Sequence, residues 1–484
     1  MTFPSSHLST AALATVFLAL ASCAINPATG KKQLVLVSEA QEIQLGLEND
    51  RALTAQLGLY PDEELQAYVQ QLGTSIAARS ERADLPWQFR VVDDPVVNAF
   101  ALPGGFIYIT RGILAHFDSE AELASVIGHE IGHVTARHGV NQMSKQQLAQ
   151  VGMLGGMIFA RDQMERYGGL AQTSLGLMFL KFTRDDERQA DDLGLRYLVR
   201  GGYDPRPMPD VFDTLGRVSV AGGGERLPGW LSTHPYPENR RDRIDAAIAA
   251  TGQDYSDLPV RREEYLAYID GLVFGPDPQQ GYFKDALFRH PQMRFQLRFP
   301  DGWKAVNQRQ AVVAVSPEQD AVVQLTLASE PSATAAYQAF IGGEGLQRTD
   351  YPVQMAGGLA TVGSGFLANV QQDKIQGLVG FVEHEERVFR LLAYTNQERW
   401  TALGPALEAS VTSFDRLQDR RVMDARPDRV KIVTVPRAMS WTQFAAQYDA
   451  TIEPDALATI NGTDTGERLR AGRQYKVVSG GYRP

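Results

Sequence analysis

The chain holds one cysteine, Cys23, among 484 residues. A single thiol excludes intramolecular disulfides and every metal site that needs two thiolates, from zinc fingers to cysteine-ligated iron–sulfur clusters. Positive charge is also short: 47 Lys and Arg face 57 Asp and Glu, for a net charge of −10. Without a basic block to neutralise phosphates, the chain is not a nucleic-acid binder and has no polybasic grip on anionic lipid. The apolar run near the start, Ala11 to Ala21 (AALATVFLALA), falls short of the ~20 residues a bilayer span requires. What is present is ordinary globular composition, 44% hydrophobic and 21% charged. At ~150 residues per domain, the length predicts about three domains.

That apolar run has the length of a signal-peptide core and ends in Leu20-Ala21-Ser22-Cys23. Small residues before a cysteine resemble a bacterial lipobox, although the leading segment carries no Lys or Arg. The resemblance implies that residues 1–22 are a signal peptide and that Cys23 becomes the lipidated N-terminus. Ala24 in place of Asp then directs the protein to the periplasmic face of the outer membrane. Asn26 to Lys32 reads as an exposed tether.

Helical spacing runs from Ser38 to Ala78 with a break at Pro61. Trp87 to Val92 and Phe106 to Thr110 read as strands, with Pro103-Gly104-Gly105 as the turn before the second. A helix starts near Glu120, where Ser119 and Glu122 have capping-box spacing. Leu148 to Phe182 is rich in Gly and Met and reads as core or groove-lining helices. A further helix begins near Thr183 and stops at Gly201-Gly202. Beyond Tyr268, alternating segments between Met293 and Tyr394 predict strands, closed by a helix from Trp400 to Phe414. Asp415 to Arg429 reads as a linker, and the tail as strand, helix, helix, strand.

The chemistry lies in His129-Glu130-Ile131-Gly132-His133. Residues four apart share a helix face, so two imidazoles can reach one zinc ion, and the adjacent Glu130 projects beside it as a general base. Catalytic zinc takes three protein ligands, so a third must come from elsewhere. His138, five residues past His133, rotates off that face and reads as a solvated residue of the last turn. Glu187 is the better candidate, with Asp191 one turn later on the same face to accept the free N–H of a ligating His. Spacing alone also fits a solvated acidic helix start.

These motifs, with Glu187-x-x-Ala190-Asp191, Gly194, Ser232-Thr233-His234-Pro235, Arg240 and Asn98 to Gly105, resemble the HtpX-like and CAAX-prenyl-protease-type zinc metallopeptidases. The resemblance spans about residues 35–250. It implies one zinc ion per chain on His129, His133 and Glu187, with Glu130 as base and Asp191 behind the ligands. His234 is implied to lie near the zinc, either donating to the oxyanion or filling the open position in a latent state. Arg240 either stabilises developing charge or pairs with a carboxylate. Extended substrate is expected to add to a sheet edge at Asn98, Ala99 and Phe100.

The expected fold is multidomain α+β. Residues 1–22 are the signal peptide. A mainly helical zincin-type domain with a small antiparallel sheet follows (residues 23–275), then an α+β domain (280–418) with a faint resemblance to PsbP-like domains. A small LysM-like βααβ module closes the chain (428–480). Its usual Gly-Asp-Thr is replaced by Pro436-Arg437-Ala438, so peptidoglycan binding and plain packing stay open. The function these expectations support is zinc-dependent hydrolysis of unfolded or misassembled envelope proteins. The alternative is an envelope lipoprotein that binds clients or peptidoglycan beside a latent or vestigial peptidase site.

Overall fold

The computed structural model describes residues 23–146, 181–221, 229–235, 239–370, 373–482 and 484. The expected signal peptide and most of the Gly- and Met-rich segment lie outside the described residues. The described residues form two compact units: those up to 274 with 430–479, and those from 275 to 429 with the last few after 479. The tail therefore folds with the first unit, and the second unit is an insertion in its sequence.

The first unit opens with a small hairpin, β1 (Cys23–Ile25) paired antiparallel to β2 (Lys32–Leu34). The stretch read as an exposed tether is exposed at Pro27 and Gly30 to Lys32 but closes a hairpin instead of hanging free. Asn26 is buried, and its Oδ1 accepts from the amides of Ala28 and Thr29. Helices α1 (Glu39–Leu57) and α2 (Glu63–Ala77) follow, capped by Ser38 and Asp62 on either side of Pro61. Next come β3 (Gln88–Val92), β4 (Ala99–Leu102) and β5 (Phe106–Thr110).

The expected small antiparallel sheet is mixed. The Pro103–Gly105 turn makes a hairpin of β4 and β5, which leaves β3 to pair parallel with the far side of β5. The central strand β5 is buried at every position. Its Ile107 and Ile109 share one core with Leu123, Val126, Ile127 and Ile131 of helix α3 (Glu120–Thr135). Ser119 caps α3 by accepting from the Glu122 amide, while the Glu122 carboxylate accepts from Asp118 rather than closing a capping box.

Helix α4 (Arg184–Gly201) has its own capping box, Thr183 with Asp186, and ends at Gly202 in the left-handed region. It crosses α3 with almost no side-chain spacer. A Cβ added at Gly194 meets the His129 amide nitrogen at 2.9 Å, and one at Gly132 meets the Ala190 carbonyl at 2.9 Å. Small residues thus bring two backbones together under the histidines. Helices α5 (Met208–Ala221), α6 (Arg240–Ala250) and α7 (Arg262–Ile269) surround this pair, followed by the short strand β6 (Val273–Phe274).

In the second unit, strands β7 (Tyr282–Lys284), β8 (Leu287–His290) and β9 (Phe295–Arg298) precede β10 (Lys304–Asn307), β11 (Ala311–Val315) and β12 (Ala321–Leu327). After helix α8 (Ala333–Ile341) come β13 (Leu346–Pro352), β14 (Thr361–Val370), β15 (Asp373–His384), β16 (Arg387–Asn396), helix α9 (Trp400–Thr412) and β17 (Asp415–Arg416). They build a seven-stranded antiparallel sheet, ordered β10-β11-β12-β16-β15-β14-β13, and a four-stranded sheet, β17-β9-β8-β7. The stretch read as a linker contributes β17 to that second sheet and a helical turn at Arg420–Met423.

The tail runs β18 (Asp428–Thr434), α10 (Trp441–Gln447), α11 (Pro454–Ile460) and β19 (Gln474–Ser479), in the order expected. It has a core of its own around Trp441, Phe444, Leu457 and Tyr475. It is also joined to the rest of the first unit. Strands β19, β18 and β6 form one sheet, and the buried Lys476 donates from Nζ to the Phe117 carbonyl at 2.6 Å and lies 3.1 Å from Asp118.

Candidate metal centre

Helix α3 presents His129 and His133 one turn apart, and α4 presents Glu187 across the close crossing. A helical turn at Trp230–Thr233 delivers His234 to the same point. Nε2 of His129 lies 3.1 Å from Nε2 of His133, 3.5 Å from Glu187 Oε2 and 3.4 Å from His234 Nδ1. Glu187 Oε1 stands 3.4 Å from His133 Nε2 and 3.1 Å from His234 Nδ1. All four side chains are buried.

Those spacings test whether an ion fits. Zinc–nitrogen and zinc–oxygen bonds of ~2.0–2.1 Å in a tetrahedron separate neighbouring ligand atoms by ~3.3 Å. The observed edges of 3.1 to 3.5 Å match that figure. The electrostatics agree. Burial disfavours charge on His129, yet hydrogen bonds to Asp191 and Glu187 outweigh it and hold its proton up to about 9. Burial likewise opposes an ionised Glu187, but His234, His129 and His133 keep it well below the usual carboxylate range. Burial pushes His133 well below the ordinary imidazole range, so it offers a neutral nitrogen beside the ionised Glu187, a donor set that suits a cation.

Glu130 is buried, and neither carboxylate oxygen has a hydrogen-bond partner among the described residues. Burial pushes its pKa up, which suits a group that must take a proton. Oε1 faces His234 Nε2 at 3.4 Å. Behind the ligands, His129 Nδ1 donates to Asp191 Oδ1 at 3.0 Å. Arg240 grips the same carboxylate through Nη2 at 2.6 Å and Nε at 3.1 Å, and its guanidinium lies 3.9 Å from the Phe212 ring centroid. Arg240 Nη1 is 3.9 Å from Glu187, so the structure seats this residue primarily on a carboxylate.

His138 corrects the sequence reading. The helix ends after Thr135, Arg137 takes a left-handed φ of 57°, and residues 138–146 start a new helical segment. This fold-back buries His138 and sets its Nδ1 3.0 Å from Nδ1 of His133. Sequence reasoning also missed Arg243, 2.5 Å from Asp191, Trp230 stacked 4.2 Å from His234, and Phe182 4.0 Å from the His133 ring. Arg243 was visible in principle, one turn after Arg240.

Asn98, Ala99 and Phe100 have buried side chains, and Phe100 stacks on Tyr108 at 5.0 Å. Their main chain is buried with them, and the Asn98 amide and carbonyl are already bonded to Thr110, so the structure does not present these three residues to another chain. Strand β4 lies at the edge of its sheet, and a cleft joins its Ala101 to Pro103 end with His133 and Phe182.

Two histidines of an H-E-x-x-H helix, a glutamate from a second helix and a base beside them define a metallopeptidase centre of the zincin type. Residues 63–248 match the model of peptidase family M48, so the chain carries a domain of that zinc-dependent family. Similar proteins include the beta-barrel assembly-enhancing protease of Escherichia coli (strain K12), 34% identical over 235 residues, or 45% of this chain and 47% of that one. Another is the mitochondrial metalloendopeptidase OMA1 of Arabidopsis thaliana, 39% identical over 169 residues, covering 34% of this chain and 32% of that one. The chain spans about half the length of the beta-barrel assembly-enhancing proteases it matches. Among solved structures, cyanobacterial PsbP from Synechocystis sp. PCC 6803 aligns with 28% of this chain and 95% of that one. Its identity is 14% and its TM-score 0.23. Among the described residues, no helix is long and apolar enough to cross a membrane.

Proposed function

We propose that the protein is a zinc endopeptidase of the bacterial envelope, acting on unfolded or misassembled proteins and anchored through a lipid on Cys23. The observation that carries the chemistry is the near-tetrahedral set of His129, His133, Glu187 and His234, with Glu130 beside it making no hydrogen bond among the described residues. His129, His133 and Glu187 hold the ion. Zinc bound there supplies a Lewis acid for the scissile carbonyl and lowers the pKa of water toward ~7. Glu130 takes the proton of the attacking water and returns it to the leaving amine. Substrate backbone pairs with the edge of β4 at its Ala101 end, which binds irrespective of sequence. Asp191 and Arg240 position the ligands and do not touch substrate.

His234 favours a latent resting state. Its Nδ1 occupies the fourth corner of the ligand set, the position a catalytic zinc keeps for water or substrate. Activity then requires the Trp230–His234 segment to withdraw. Support for the envelope setting comes from the lipobox resemblance and the name of the Escherichia coli relative. Zinc content of the purified protein, with casein cleavage before and after chelation, tests the enzyme reading. A zinc-free protein that cleaves nothing after zinc is added contradicts it. Cys23→Ser tests the anchor: it abolishes lipid labelling and releases the protein from membranes, and unchanged fractionation rejects the lipid.

A further inference from the structure

The two ligand histidines are held from behind by different chemistry. His129 donates to a carboxylate, Asp191, whereas His133 meets a second imidazole. The proton positions along that second line follow from one another. His133 turns Nε2 toward the other ligand atoms, so its proton must sit on Nδ1 when Nε2 offers a lone pair to an ion. Nδ1 of His138, 3.0 Å away, then has to accept. That leaves the His138 proton on Nε2, which lies 2.8 Å from the side-chain oxygen of Gln189 on α4. The same oxygen receives Nδ2 of Asn26 at 3.4 Å. Asn26 cannot be turned round, because its own oxygen accepts from the Ala28 and Thr29 amides and its Nδ2 also donates to the Ala136 carbonyl at 3.1 Å and to Gln33 Oε1 at 3.2 Å. Every donor in the line meets an acceptor.

We propose that His138 is a positioning residue that fixes the tautomer and ring orientation of His133, supported by Gln189 and by Asn26 of the N-terminal hairpin. His133 thus meets a neutral acceptor rather than a carboxylate, with the Asp186 carboxylate one step further back, 3.7 Å from His138 Nε2. The hairpin that begins at Cys23 thereby supports the metal centre through Asn26, three residues from the site of the proposed anchor. This inference rests on the metallopeptidase reading.

The test is the zinc affinity of the full chain, by competition with a chromophoric chelator, together with the visible spectrum of the cobalt(II)-substituted protein. His138→Phe keeps a planar ring and loses the acceptor. It lowers affinity 10–100-fold and alters the cobalt bands. His138→Gln restores one acceptor and one donor in line and stays within about threefold of wild type on the same scale. Asn26→Asp turns an acceptor toward Gln189 and weakens zinc several-fold, but adds nothing further in the His138→Phe background. Circular dichroism of each metal-free variant shows whether it is folded. A folded His138→Phe protein with wild-type affinity and spectrum overturns the proposal and leaves the enzyme reading intact. Failure of His138→Gln to restore affinity also overturns it. A wild type that binds no zinc at all overturns both.

Discussion

Asp191 Oδ1 accepts from His129 Nδ1 at 3.0 Å, and the same carboxylate is clamped by Arg240 and Arg243. Burial opposes its charge, but the Arg240 guanidinium outweighs that and holds it below the usual carboxylate range. Asp191→Ala removes the acceptor behind His129 and strands Arg240 in the interior. Zinc affinity is expected to fall ~10–100-fold. Stability drops by about 3–5 kcal/mol, the cost of breaking a buried pair. Chelator competition and urea unfolding read the two effects separately, and unchanged affinity contradicts the assigned role.

The close crossing of α3 and α4 makes a second prediction. Gly194→Ala adds one methyl against the His129 backbone, where no flexible side chain can yield. The helices must separate, at about 1–3 kcal/mol, and the ligands move with them. Zinc affinity falls together with the unfolding midpoint. Gly202→Ala, with no atom within 4 Å of its Cβ, is the control, and it alters stability through its left-handed φ of 77° without touching zinc.

His234→Ala opens the fourth position. If His234 holds the site latent, casein cleavage by the variant rises severalfold at unchanged zinc content. A fall of ~10²-fold or more at equal zinc assigns the imidazole to the oxyanion instead.

A fourth prediction concerns acid stability. His116 is buried, donates from Nδ1 to the Gly112 carbonyl at 2.8 Å, and is pushed down to about 4 by burial, with Lys476 adding to the effect. Its folded pKa lies below the unfolded value of 6.5, so the folded state binds fewer protons between them. The stabilisation is complete above pH 6.5 and is lost as pH falls toward 4, in total about 3 kcal/mol. Protection of β5 amides in hydrogen exchange should therefore drop between pH 7 and 4.5, and drop less in His116→Gln. Equal losses in the two proteins contradict the assignment.

The pairing of His129 with His133 was legible because helix geometry ties residue spacing to position: i and i+4 must share a face. Spacing alone left Glu187 open between a ligand and a solvated helix start, and it is the crossing of α3 and α4 that brings it to the two histidines. The same rule misplaced His138. It assumes one continuous helix, and the left-handed turn at Arg137 is set by tertiary contacts, with its guanidinium bonded to Glu42 and the Val37 carbonyl. The burial of Asn26 was equally hidden, since a Pro-Gly-Lys stretch reads as solvated until the end of α3 is there to receive it. Strand pairing was the least visible. The parallel union of β3 with β5 depends on which side of the hairpin stays open, and the tail's place in the first unit rests on Lys476 reaching the Phe117 carbonyl, 359 residues away.

The most direct test of the proposed chemistry compares wild type with Glu130→Gln, both loaded with one equivalent of zinc. Glutamine keeps the shape of the side chain and cannot take a proton. The expected result is equal zinc affinity and a loss of peptide-bond cleavage of ~10²–10⁴-fold. Cleavage by Glu130→Gln at the wild-type rate, with zinc bound, would contradict the mechanism at its centre.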